Sequence, residues 1–255
     1  MILEKYSGSG NDFLITHMYH HQNPNKIAKK LCDRHLGIGA DGFIILKPHQ
    51  KYAYEWLFFN SDGSSALMCG NASRCVGLYA FKHQLAASTH TFWAGNRAIN
   101  IEVKENNIVK TYLGKPSVIQ THYLKTSFNT TAYSIDTGVP HLVIFVPSQT
   151  MLPKFKTQEL KELREKFDSN INIAYIKDLQ TLFVATYERG VEDITLACGT
   201  GMAASSAVHQ LIHKAPKQLT CIPPSQEVLN FTLQDDGIAF EGKVHYIATC
   251  IPSNL

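Results

Sequence analysis

The stretch "ITLACGTGMAA" at 194–204 sets Cys198 between an apolar run and a glycine-rich helix start. "LMCGNASRCVGLYA" at 67–80 is built the same way around Cys69. In both, a cysteine follows a short, strand-like apolar run. Each is followed by Gly, a small polar residue and a helix of small side chains. One such turn carries little weight, but two describe a paired design.

Outward from these turns the chain reads as two halves of similar rhythm. The first begins strand, glycine loop, strand in "ILEKYSGSGNDFLITH" and continues with a helix in "NPNKIAKKLCDRH", where Ile27, Leu31 and Cys32 recur at helical spacing. "LGIGADG" is a loop, "FIILKP" a short buried strand, and "YEWLFFNSDG" a strand stopped by Asn60, Asp62 and Gly63. A helix opens near Asn71 and runs towards Leu85, before two strand-like segments, "STHTFWAGN" and "RAINIEVKENNIVKTYLG". The second half offers strand, turn, strand in "AYSIDTGVPHLVIFVP" and an amphipathic helix in "KTQELKELREKF", opened by Thr157. "NINIAYIK" and "TLFVATYERG" are strands, and "EVLNFTLQDDGIAFEGKVHYIATCIP" supplies closing strands. The pattern predicts an α/β (α+β) protein of two pseudo-symmetric domains, each a mixed sheet with one long helix. The boundary falls near "GKPS". Residues 1–115 form one half, completed by a C-terminal strand at about 243–255, and residues 116–242 form the other.

An apolar fraction of 44% and a charged fraction of 18% over 255 residues suit a chain that buries a substantial core. A net charge of +3, with dispersed basic residues, argues against a nucleic-acid partner. No apolar run approaches the ~20 residues of a membrane helix, and "MILEKYSGSGNDF" lacks the pattern of a signal peptide. A soluble, cytoplasmic protein is expected. Six cysteines form no C-x-x-C pair and the histidines lack zinc-like spacing, so neither a disulfide framework nor a metal site is expected. Cys32, Cys75, Cys221 and Cys250 read as small core residues. In "HMYHH", exposed and loosely placed histidines at 17, 20 and 21 are the simplest reading.

A helix N-terminus carries unpaired N–H groups and the positive end of the helix dipole. Such a site lowers the pKa of an adjacent thiol and binds an anion such as a carboxylate. Two of these turns facing each other would hold a carboxylate between helix ends, with a sulfur on either side. That arrangement suits inversion of a chiral carbon beside a carboxylate, which needs a base on one face and an acid on the other. The helix ends stabilise the negative charge that builds towards the carboxylate without an electron-sink cofactor. No convincing pyridoxal-phosphate pattern is present.

These segments resemble the diaminopimelate epimerase family. The similarity runs through "GSGNDF", "RHLGIGADG", "FFNSDGS", "CGNASRC", "GVPH", "NIN", "YERG" and "LACGTG", in the family's order. The resemblance implies cofactor- and metal-independent interconversion of LL- and meso-diaminopimelate, in lysine and peptidoglycan synthesis. It also implies two similar domains with the active site in the cleft between them, on a fold shared with proline racemase, and a homodimer. Cys69 and Cys198 become the acid–base pair, with Gly70, Asn71, Gly199 and Thr200 cradling the carboxylate. Asn11, Asn60, Asn172, Glu188 and Arg189 fall where the family contacts substrate, while His141 and Glu188 match residues that tune the cysteines.

Read singly, these residues have plainer explanations. Asn11 and Asn60 serve turns, Glu188 and Arg189 form a strand-end ion pair, and His141 packs after Pro140. The sequence also departs from the family pattern: "GVPH" has Val139 where an asparagine is usual, "CGNASRC" has Ala72 for glycine, and "VEDIT" lengthens the loop after "ERG". Loss of the amide at position 139 bears on substrate recognition. The rival readings are another cofactor-independent racemase of this fold, a thiol–disulfide switch, and a non-catalytic amino-acid-binding module.

Overall fold

The hairpin expected in "ILEKYSGSGNDFLITH" forms as β1 (Leu3–Gly8) and β2 (Asn11–Thr16), in a computed structural model that describes residues 1–19 and 23–253. Contacts divide the chain into two units, Met1–Thr111 with Gly242–Leu255, and Tyr112–Glu241. In the first, α1 (Pro24–Cys32) crosses from β2 to the parallel strand β3 (Gly42–Lys47). The strand β4 (Glu55–Asn60) returns antiparallel and carries the two-residue β5 (Ser65–Ala66) on its end. Next, α2 (Gly70–Lys82) crosses to β6 (Thr89–Trp93), parallel to β4, before antiparallel β7 (Ala98–Val103) and β8 (Ile108–Gly114). The chain leaves the first unit within β8.

The second unit repeats the scheme. Strands β9 (Gln120–Leu124), β10 (Thr130–Asp136) and β11 (Pro140–Val146) run antiparallel, and α3 (Gln158–Phe167) crosses to β12 (Asn170–Asp178), parallel to β11. An antiparallel β13 (Thr181–Glu188) carries a two-residue β14 (Asp193–Ile194) on its end. Then α4 (Gly199–His213) crosses to β15 (Gln218–Ile222), parallel to β13, followed by β16 (Leu229–Gln234) and β17 (Gly237–Lys243). The last strand, β18 (His245–Cys250), returns to the first unit and pairs with β1. The order β18-β1-β2-β3-β4-β6-β7-β8 therefore recurs as β9-β10-β11-β12-β13-β15-β16-β17, with crossing helices at the same places.

The side-chain period of two gives each sheet two apolar faces. On one face of the first unit, Tyr6, Phe13, Ile15, Ile44, Phe58 and Ile101 enclose Val76 and Leu78 of α2. On the other, Leu14, Phe43, Ile45 and Phe59 meet Ala28, Leu31 and Cys32 of α1. The second unit covers its outer face likewise, with Leu142, Ile144, Ile171 and Ile173 against Leu160 and Leu163 of α3. No solvent face remains on α2, whose residues from Gly70 to Ala80 are buried throughout. Its small side chains allow close approach: a Cβ at Gly77 would lie 2.6 Å from Ile101 Cγ2. Its buried hydroxyl is satisfied within the helix, Ser73 Oγ donating to Gly70 O at 2.8 Å, and Ser205 Oγ donates to Gly201 O in α4 at 2.9 Å.

Several sequence expectations are revised. "RAINIEVKENNIVKTYLG" is a hairpin rather than one segment, turned by Asn106 and Asn107, both with φ near +60°. The apolar runs ahead of the two cysteines are not buried strands. Only β5 and β14 pair there, and Leu67 and Leu196 are exposed. Strands β9 and β15 were not expected. Among the presumed core cysteines, Cys32, Cys75 and Cys221 are buried, but Cys250 is half-exposed. Burial pushes the Cys32 and Cys221 thiols up to about 12. His17 is half-buried, its Nδ1 2.6 Å from Tyr79 Oη, whereas His20 and His21 lie outside the described residues. No helix among the described residues is long and apolar enough to cross a membrane.

Candidate active site

Each of the two turns singled out in the sequence places its cysteine at a helix N-cap. Cys69 holds extended backbone (φ −148°, ψ 122°) and its carbonyl accepts from Ser73 N at 2.9 Å, starting α2. Cys198 does the same for α4 (φ −121°, ψ 103°), accepting from Met202 N at 3.0 Å. Neither helix is capped by a hydrogen bond from its N-cap side chain. Cys69 is half-buried and Cys198 is 8% exposed, with its Sγ 3.5 Å from Thr200 Oγ1. Gly70 and Gly199 occupy the first helical position in each case and are buried.

In the first unit a polar chain supports the start of α2. Asn71 Nδ2 donates to Asn11 Oδ1 at 2.7 Å, and Asn11 Nδ2 donates to Asp41 Oδ2 at 3.0 Å. Arg74, fully buried, donates to Asn71 Oδ1 and to Ser9 Oγ. Arg34 then bridges Asp41 and Asp12, and Lys5 reaches Asp12 at 2.9 Å. Burial opposes ionisation of Asp12, but the hydrogen bonds and charges of Arg34 and Lys5 outweigh it and hold the carboxyl below its usual range. Asn60 ends β4 and is exposed, with its Nδ2 donating to Ser64 Oγ at 3.0 Å. The supporting roles of Asp41 and Arg34 were not read from "RHLGIGADG". The acid and base were visible there, but not the pairing.

The second unit carries an unusual polar floor beneath α4. Strand alternation turns His141 of β11, Asn170 and Asn172 of β12 and Thr186 of β13 away from the face that Leu142, Ile171 and Ile173 present to α3. Asn172 is fully buried and its amide is spent within the protein. Its Nδ2 meets His141 Nδ1 and Leu142 O, each at 3.1 Å, and its Oδ1 accepts from Thr186 Oγ1 at 2.9 Å. It lies under the helix start and supports it. A Cβ at Gly201 would fall 2.1 Å from Asn172 Oδ1. Asn170, two residues earlier, binds the backbone of Arg189, whose N donates to Asn170 Oδ1 at 2.9 Å. Sequence alone does not separate these two asparagines.

Around this floor, the Arg189 guanidinium is partly exposed and anchored on Asp168, through the carbonyl at 2.9 Å and the carboxylate at 3.1 Å. Glu188 ends β13, as Asn60 ends β4, and its carbonyl accepts from Val191 and Glu192. Thr200 O accepts from Thr137 Oγ1 at 2.9 Å, tying α4 to the turn before β11. Burial drives the pKa of His141 down to about 3, with the Arg189 charge acting in the same direction, so the ring is neutral at ordinary pH. Val139 is half-buried beside it, and its carbonyl accepts from Thr137 N at 3.2 Å.

The model of diaminopimelate epimerase matches residues 3–119 and 133–246. The chain belongs to the diaminopimelate epimerase family. It is 49% identical to diaminopimelate epimerase of Helicobacter pylori strain P12, over 98% of this chain and 96% of that one. The corresponding figures are 43%, 96% and 95% for diaminopimelate epimerase of a Nitratiruptor species. For that of Campylobacter jejuni subsp. doylei they are 42%, 98% and 97%. Among solved structures, a putative phenazine biosynthesis protein from Clostridium difficile superposes with a TM-score of 0.77 at 11% identity, covering 99% of both chains. A probable proline racemase from Agrobacterium radiobacter gives 0.75 at 11% identity, covering 99% of this chain and 93% of that one. These distant likenesses show the fold, which the epimerase family therefore shares with both.

Proposed function

We propose that this chain interconverts LL-2,6-diaminopimelate and meso-diaminopimelate without a cofactor, with Cys69 and Cys198 working as a thiolate and thiol on opposite faces of the α-carbon. The supporting observation is the repetition itself. Two copies of one strand order each carry, ahead of their last three strands, a largely buried helix rich in small residues whose N-cap is a cysteine. The thiolate takes the α-proton, the thiol delivers one to the other face, and the roles exchange with substrate configuration. First-turn amides, including those of Gly70, Asn71, Gly199 and Thr200, receive the carboxylate as negative charge builds on it. Asn11 and Asn60 in one unit, and Glu188 and Arg189 in the other, bind the polar groups of the substrate. This makes the chain an isomerase supplying a precursor of lysine and peptidoglycan.

Replacing Cys69 or Cys198 singly with alanine tests the pairing. Each variant is expected to keep the fold and lose at least ~10³-fold in kcat/KM. Turnover within tenfold of wild type in either variant contradicts the two-base assignment. A cytoplasmic homodimer is the associated reading. It is supported by the exposed Ile2, Tyr246, Ile247 and Ile251 gathered on and beside β1 and β18. Sedimentation of the protein with Ile247→Lys should then show a monomer where wild type is a dimer.

A further inference from the structure

The hydrogen bonds around Asn172 fix more than its own position. Leu142 O is a carbonyl and can only accept, so the atom 3.1 Å from it must be the NH₂ of Asn172. Thr186 Oγ1, at 2.9 Å from Asn172 Oδ1, supplies the matching donor on the other side. The remaining N–H has two acceptors in reach, His141 Nδ1 at 3.1 Å and the more distant Asn170 O at 3.4 Å, and the nearer one takes it. An amide N–H cannot accept, so that ring nitrogen must present a lone pair. A neutral imidazole then carries its proton on Nε2.

That Nε2–H is buried, and it has no hydrogen-bond partner among the described residues. A buried donor without an acceptor is costly and is tolerated where a ligand or reacting group supplies one. His141 is fully enclosed, with Ile135 and Asn170 opposite it on the neighbouring strands. The ring thus has one direction in which to donate.

We infer that Asn172 is a positioning residue that locks His141 in its Nε2–H form, so that His141 serves as a fixed, neutral donor to an anionic acceptor and not as a proton acceptor. The inference rests on the epimerase reading above for its functional half, while the tautomer stands on geometry. Adding a proton at Nδ1 would set it against the Asn172 N–H, and burial opposes the charge. The acceptor is either a substrate carboxylate oxygen or a thiolate, both of which take a hydrogen bond from a neutral N–H. Gly201 belongs to the same device: by having no side chain it lets the first turn of α4, the helix capped by Cys198, rest directly on the Asn172 amide.

The first test needs no variant protein beyond one for assignment. Nitrogen-15 NMR of the full chain labelled at histidine, with His141 assigned by its loss in His141→Gln, should show an unprotonated Nδ1 and a protonated Nε2 at neutral pH. A protonated Nδ1, whether as the other tautomer or as imidazolium, overturns the inference whatever the enzyme's activity. Kinetics supply the second test, because a glutamine amide can donate from the Nε2 position but cannot take up a proton. His141→Gln should stay within about tenfold of wild type, and His141→Ala should fall by at least ~100-fold. A folded His141→Gln as inactive as His141→Ala refutes the donor role. If wild type shows no epimerisation, the functional reading has failed and the NMR result still judges the tautomer.

Two further measurements on His141→Ala separate the acceptors. A displaced pH profile of cysteine alkylation without substrate identifies a thiolate. An unchanged profile with weaker binding of a dicarboxylate inhibitor identifies the substrate carboxylate. No change in either measurement contradicts the inference.

Discussion

Replacing Gly201 with alanine should destabilise the second unit, although alanine is ordinarily the better helix former by ~1 kcal/mol. The added Cβ would lie 2.1 Å from Asn172 Oδ1, 3.2 Å from Asn172 Cγ and 3.0 Å from Thr186 Oγ1. The first distance is more than 1 Å inside ordinary van der Waals contact at about 3.5 Å. A flexible side chain could swing away, but Asn172 is held by His141, Leu142 O and Thr186. Relief therefore means either lifting the start of α4 or breaking that network. Overpacking of this kind costs ~1–3 kcal/mol, and each buried hydrogen bond lost adds about 1 kcal/mol. With one such bond lost and the propensity gain set against it, a net loss of ~1–3 kcal/mol is expected. Equilibrium urea unfolding of the variant beside wild type measures it. The variant should also lose activity, because the displaced helix carries Cys198 as its N-cap. A Gly201→Ala protein at least as stable as wild type, with unchanged kcat, would show that Asn172 does not support the helix as described.

Other consequences are simpler to check. Thr157 caps α3 by accepting from Leu160 N at 3.3 Å, so Thr157→Ala should cost about 1 kcal/mol in unfolding free energy and leave kcat unchanged. Asp12 has its pKa lowered from 3.8 in the folded chain, so it favours folding above that pH and the benefit is lost as pH falls through the folded value. Asp12→Asn should be less stable at neutral pH, and the difference from wild type should shrink in acid. His141 is depressed from 6.5 to about 3, so the unfolded chain binds the extra proton and stability falls as pH drops from 6.5 towards 3. His141→Gln should flatten that part of the stability–pH curve, and an unchanged slope would contradict the burial of a neutral ring.

Much of this architecture is legible in the sequence, because both faces of the strands and both long helices are written in period and side-chain size. The small residues of "CGNASRCVGLYA" and "ACGTGMAASSAV" announce helices surrounded by sheet, and the cysteine–glycine pairs announce their N-caps. The depth of individual polar residues is not legible. Asn170 and Asn172 share a face by alternation, and only the seating of Gly201 on the latter shows which is buried under α4. Leu67 and Leu196 look like strand residues by composition, yet both are exposed and lie outside the strands, on the stretches that lead into the extended N-cap cysteines. The left-handed pair Asn106–Asn107 was a readable turn signal hidden in an otherwise continuous alternating run. Ion pairs such as Arg34 with Asp12 and Asp41 depend on a parallel strand pairing that local pattern does not encode.

In the proposed reaction, two thiols move the α-proton with no cofactor. Proton NMR of LL-diaminopimelate in deuterium oxide, with the reduced protein and nothing added, tests it most directly. The α-proton signal should disappear as the meso isomer appears, and no conversion to meso should occur when either Cys69 or Cys198 is alanine. Conversion that persists without either sulfur, or an α-proton that wild type never exchanges, would contradict it.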